Sequence, residues 1–125
     1  MVIQIEIDSE ALEPLYKYCR KTPAEVPLVM QRILRDWVKM TARRWYKDKI
    51  LIPRMPEIPE SRMTSVGINT DIGNLYKNTI KIMNAKFGAE LIHEGKLASL
   101  LLASFVKVYN LKEVAKTSRL KWGTG

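Results

Sequence analysis

A chain of 125 residues has apolar content for one modest core and not for two independent ones. Its 21 Lys and Arg against 13 Asp and Glu give a formal charge of +8 and an isoelectric point near 9.7, a balance that favours polyanionic partners. One cysteine and one histidine, Cys19 and His93, exclude an internal disulfide and a structural zinc site, and no apolar run approaches the roughly 20 residues of a membrane span.

Val2–Asp8 alternates, with Ile3, Ile5 and Ile7 on one face and Gln4, Glu6 and Asp8 on the other, the period of a half-buried strand. The same N-terminus lacks the basic-then-apolar layout of a signal peptide, which points to synthesis in a cytoplasm. Asp8 or Ser9 then caps a short helix in which Leu12, Leu15, Tyr16 and Cys19 fall on one stripe, with Pro14 making its first turn irregular.

Thr22-Pro23-Ala24-Glu25 combines a capping hydroxyl, a proline at the first helical position and a glutamate three residues on, which predicts a helix start. Val26, Met30, Ile33, Leu34, Trp37, Val38, Thr41 and Trp45 make its apolar stripe. From Pro23 to Asp48 this helix would span roughly 40 Å, long for so small a body, so one end is expected to pack on a neighbouring subunit. Trp45 and Tyr46 at that end, with Trp37 in the stripe, are candidate subunit contacts.

Residues 51–74, with Pro53, Pro56, Pro59, Gly67 and Gly73, show neither period and predict a long projecting loop, in which Ile52, Pro53, Met55 and Ile58 are further candidate contacts. Leu75–Met83 alternates and predicts a strand, Asn84–Gly88 a turn and Ala89–His93 a returning strand. Lys96–Asn110 reads as a helix with Leu97, Leu100, Leu101, Ser104, Phe105 and Val108 on its stripe. Residues 112–125 form a basic tail whose Leu120 and Trp122 complete the candidate interface. The fold class expected is α+β, a single domain over 1–125, with an antiparallel sheet of three or four strands laid against the long helix and a C-terminal helix and arm.

Catalysis needs a nucleophile, a base and an orienting group, and scattered carboxylates with one His and one Cys offer few combinations. No phosphate-binding glycine motif, H-E-x-x-H or C-x-x-C occurs. No catalytic residue, metal ligand or cofactor is therefore expected, and the protein reads as a non-enzyme. The candidate basic surface is Arg32, Arg35, Lys39, Arg43, Arg44 and Lys47 on the long helix with Lys116, Arg119 and Lys121 in the tail, placed to meet genome DNA or acidic protein neighbours.

The order of N-terminal strand, helical segment, long helix with a basic end, proline-containing loop and the segment Gly73-Asn74-Leu75-Tyr76-Lys77-Asn78-Thr79-Ile80 resembles the tail-completion and minor tail proteins of tailed bacteriophages. In that family a T-G-x-L-x-x-S-I-like motif opens the strand after the loop, and Thr79 stands here where Ser is common. A later Y-A-x-x-x-E-x-G-T-like stretch keeps only its Glu and Gly, in Ile92-His93-Glu94-Gly95-Lys96. The resemblance implies a virion protein assembled in the host cytoplasm. It would be one subunit of a homo-oligomeric ring in the neck or upper tail, touching portal-side or tail-tube proteins and making nonspecific contact with DNA, with no membrane partner. Tail completion, tail terminator, stopper and head-tail connector all fit. The alternative is a ribbon-helix-helix DNA-binding regulator, whose strand, helix, helix order residues 2–46 resemble. There the groove-facing side chains would be Gln4, Glu6 and Asp8, and two carboxylates per strand repel phosphate-flanked bases.

Overall fold

The alternating isoleucines build β1 (Val2–Asp8), with Ile5 and Ile7 fully buried, in a computed structural model that describes residues 1–19, 24–47 and 49–109. Asp8 ends the strand and caps α1 (Ser9–Tyr18), its carboxylate accepting the Glu10 amide at 3.0 Å. Leu12, Leu15 and Cys19 turn inward as the stripe predicts, whereas Tyr16 stays on the surface. The long helix α2 (Glu25–Tyr46) buries Val26, Met30, Ile33, Leu34, Trp37, Val38 and Thr41 in one stripe, joined by Val29. Its predicted capping residues Thr22 and Pro23, and Asp48 at its far end, lie outside the described residues.

The second half of the chain departs from expectation. The irregular stretch is shorter than 51–74, because a single 3-10 turn (Glu60–Arg62) leads into β2 (Met63–Asn69) and residues 70–74 are already helical. β2 pairs antiparallel with β1 from Val2↔Asn69 to Asp8↔Met63, and sets Val66 and Ile68 beside Ile5 and Ile3 on the inner face. Leu75–Met83 is not a strand but the middle of α3 (Thr70–Phe87). Asn69 caps that helix by accepting the Asp71 amide, and Gly88 closes it in the left-handed conformation at φ +68°. The buried residues Gly73, Tyr76, Ile80 and Met83 follow helical spacing and outweigh the alternation. The expected returning strand, Ala89–His93, is a connection clamped to α3 by two hydrogen bonds between the Asn84 side chain and the Ile92 backbone. Among the described residues the sheet therefore has two strands, not three or four, within an α+β fold of four helices.

α4 (Glu94–Tyr109) starts on an imidazole cap, since His93 Nδ1 accepts the amides of Gly95 and Lys96. That geometry requires an unprotonated Nδ1. Its inner stripe is Leu97, Ala98 and Leu102, about a quarter turn from the one expected, with Leu101 and Phe105 at its margin and Val108 in solvent. None of the described helices is long and apolar enough to cross a membrane.

Two glycines bring helices onto β1. A β-carbon on Gly73 would stand 2.4 Å from Ile3 Cδ1, and one on Gly95 would stand 2.6 Å from the Glu6 carbonyl oxygen. A backbone oxygen within a sheet cannot yield, whereas the end of an isoleucine can rotate. Gly95→Ala should thus cost about 2 to 3 kcal/mol in urea unfolding. Gly73→Ala, which also gains about 1 kcal/mol of helix propensity, should cost clearly less; the reverse order would show that α4 is not seated on β1 as described.

Candidate interaction surface

One end of β1 is tied to three other segments through a single residue. The buried Asp8 carboxylate accepts both Arg62 Nε at 3.0 Å and Arg62 Nη2 at 2.7 Å, in addition to the Glu10 amide. Its own amide donates to Ser99 Oγ in α4 at 2.8 Å, and that hydroxyl donates to the Gly95 carbonyl. The Arg62 hydrogen bonds hold the Asp8 carboxyl below its ordinary range against the opposing effect of burial, and the Asp8 carboxylate raises Arg62 in turn. Asp8 is thus a structural anchor, and only Gln4 and Glu6 of the outer-face trio are exposed. Because β1 is paired with β2 and its other edge at Glu6 and Asp8 lies under α4, no free edge remains there for an intermolecular ribbon of the ribbon-helix-helix kind.

Cys19 is buried, and its thiol is pushed up to about 11, first by burial and then by the Glu25 carboxylate. It is held as a thiol, not as a reactive thiolate. Burial likewise raises Tyr76, whose hydroxyl donates to the Glu94 carbonyl. Among the described residues no three His, Cys, Asp or Glu side chains gather to hold a metal ion.

The candidate interface residues separate sharply. Trp37, expected at a subunit contact, is 7% exposed and stacks edge-on against Tyr76 with ring centroids 5.5 Å apart, so it belongs to the core. Trp45 is half-buried beneath the Lys86 ammonium, 4.3 Å from its ring, while Tyr46 beside it is 92% exposed. Ile52 and Met55 are half-buried against the core, Ile58 is half-buried and Pro53 is exposed. Leu120, Trp122, Lys116, Arg119 and Lys121 lie outside the described residues.

Trp37 meets Tyr76 and Trp45 meets Lys86, so α2 and α3 run side by side in the same sense. Between their C-terminal halves lies an apolar groove of about 370 Å³, with Val38, Ala42 and Tyr46 on one wall and Leu75, Thr79 and Ile82 on the other. Leu75 and Ile82 are 49% and 59% exposed. Sequence reasoning missed this wall because it read Leu75 and Ile82 on opposite faces of a strand; on a helix, residues seven apart share a face. Of the candidate basic surface, Arg32 is engaged by Asp36 at 3.1 Å, whereas Arg35, Lys39, Arg43, Arg44 and Lys47 are exposed.

No protein-family model, curated protein or solved structure matches this chain.

The Asp8 anchor has a defined acid response. With its folded-state value below the unfolded value of about 3.9, the stabilisation is complete above that pH and drains away as pH falls through the folded value. Asp8→Ala should lower stability at neutral pH by about 1 kcal/mol or more, the loss of the cap alone setting that floor. The gap in urea midpoint between parent and variant should shrink as pH drops from about 6 to about 2. A gap that stays constant over that range would mean that Asp8 is not an ionised anchor.

Proposed function

We propose that the protein is a structural subunit of a tailed bacteriophage, one copy in a homo-oligomeric ring of the neck or upper tail that joins head to tail. The observation that carries the reading is surplus apolar surface distributed over several elements outside the α2–α3 groove: Leu28, Met40, Leu51, Leu91 and Val108 are all exposed. Single exposed apolar residues are ordinary in a monomer, whereas a surplus spread over several faces supports contacts with more than one neighbouring copy. Head-to-tail contacts of one surface with a different surface on the next copy close into a ring when the rotation per subunit divides a full turn.

The order of elements through α2 and the Gly73–Ile80 segment support the phage assignment as resemblances in sequence. That segment opens a helix here rather than a strand, so the likeness rests on its residues and its place in the chain. Its glycine has a local reason, the close approach of α3 to Ile3.

Native mass measurement of the purified chain, with mass spectrometry of purified phage particles, tests the reading: a defined oligomer and a virion-associated chain are expected. A monomer at all concentrations that is absent from particles would overturn it. Removing residues 112–125 should lower the oligomer's stability while leaving the urea unfolding of the monomer unchanged; a truncated chain that assembles like the full one would take the tail out of the contacts.

A further inference from the structure

We infer that the α2–α3 groove is a docking site for an acidic amphipathic helix supplied by a different protein. Cations dominate the border of the groove: Asp36, next to Arg35, is engaged by Arg32, and Asp71 stands one turn before Leu75 at the N-terminal end of the α3 wall. Every charged side chain from Trp37 to Lys47 and from Ile72 to Phe87 is a lysine or an arginine. Arg35, Lys39 and Arg43 recur every four residues, in the helical row next to Val38, Ala42 and Tyr46, so they stand in a line along the outer border of the groove. All three are exposed, and among the described residues no carboxylate pairs with them. Lys86 closes the C-terminal end of the groove above Trp45.

The walls extend over about two and a half helical turns, Val38 to Tyr46 and Leu75 to Met83, a length of roughly 13 Å. Two parallel helices with an apolar furrow between them accept a third helix through apolar side chains at i, i+3, i+4 and i+7. The row of cations then selects carboxylates along one flank of that helix, at the same spacing of four. Phosphate in duplex DNA would satisfy the cations but leave Leu75, Ile82 and Tyr46 in water. A second copy of this chain is a poor occupant, because it carries the same +8, and the carboxylates of its own acidic helix, Glu10 and Glu13, are already paired with Arg62 and Lys17. The partner is therefore distinct from the copies that would build a ring, and loss of ring assembly leaves this site intact.

The test uses the full chain and fluorescein-labelled amphipathic 18-residue peptides that share one leucine face and carry either glutamates or lysines along its flank. Binding is read by fluorescence anisotropy, with circular dichroism confirming that each protein variant is folded. The glutamate peptide should bind and the lysine peptide should not. Ile82→Glu, at an exposed position, should weaken binding at least tenfold. Joint reversal of Arg35, Lys39 and Arg43 to glutamate should weaken the glutamate peptide at least tenfold and admit the lysine peptide. Equal binding of the two peptides, binding insensitive to Ile82→Glu, or displacement of the glutamate peptide by a 20-base-pair duplex would overturn the proposal. So would self-association of the protein that Ile82→Glu abolishes, since the groove would then belong to a second copy.

Discussion

The architecture depends on what converges at Asp8. A strand pair alone is marginal in water and needs a packed face or a covering element to persist. Here one carboxylate ends β1, caps α1 and takes both arms of Arg62 at the entry to β2, while the amide of the same residue is held by α4. These partners lie 2, 54 and 91 residues away in the chain, so a short-range cap and two long-range closures are made at one point. Asp8 can remain ionised there because Arg62 and the Glu10 amide replace the water it has lost.

From that point the rest of the packing follows. α4 can lie against β1 only because Gly95 presents no side chain to the Glu6 carbonyl, and Ser99, one turn later, supplies the acceptor that Asp8 requires. α3 comes down on the other end of the strand through Gly73. With both helices seated, α2 closes the core over Ile5, Tyr76 and Leu97 and leaves Ala42 and Tyr46 exposed beside α3. The groove is thus a product of how the two-stranded sheet is covered.

The first half of the chain was legible because its signals agree. Strand alternation in β1, the Asp8 cap and the apolar stripe of α2 each point to the element that forms. The second half was misread where signals conflict. Between Leu75 and Met83 the β-branched residues Thr79, Ile80 and Ile82 alternate well enough to suggest a strand, yet Gly73, Tyr76, Ile80 and Met83 keep helical spacing. The boundary chemistry would have decided the matter: an asparagine cap at Asn69, Asp71 in the first turn and a glycine after the last. β2 escaped notice because only Val66 and Ile68 of its residues are buried and Gly67 stands between them; its order comes from pairing with β1, which no local pattern encodes. The long helix was placed correctly, but the alternating strand reading of 75–83 hid the site, since a groove between two helices is invisible when one of them is taken for a strand.

The cations beside the groove have two physical explanations, and position separates them. Basic residues at a helix C-terminus are stabilised by the partial negative charge of its unpaired carbonyls, an effect of about 0.3 to 1 kcal/mol that fades within the last turn. Arg43 and Arg44 in the last turn of α2, and Lys86 in that of α3, are accounted for in that way. Arg35 and Lys39 lie two turns or more before the end of α2, beyond reach of that stabilisation, and like charges four residues apart on a helix repel by about 0.2 to 0.5 kcal/mol per pair. Among the described residues no carboxylate is paired with Arg35 or Lys39, the adjacent Asp36 being engaged by Arg32, whereas a row of carboxylates across the groove would convert that repulsion into attraction at the surface where apolar side chains already stand exposed.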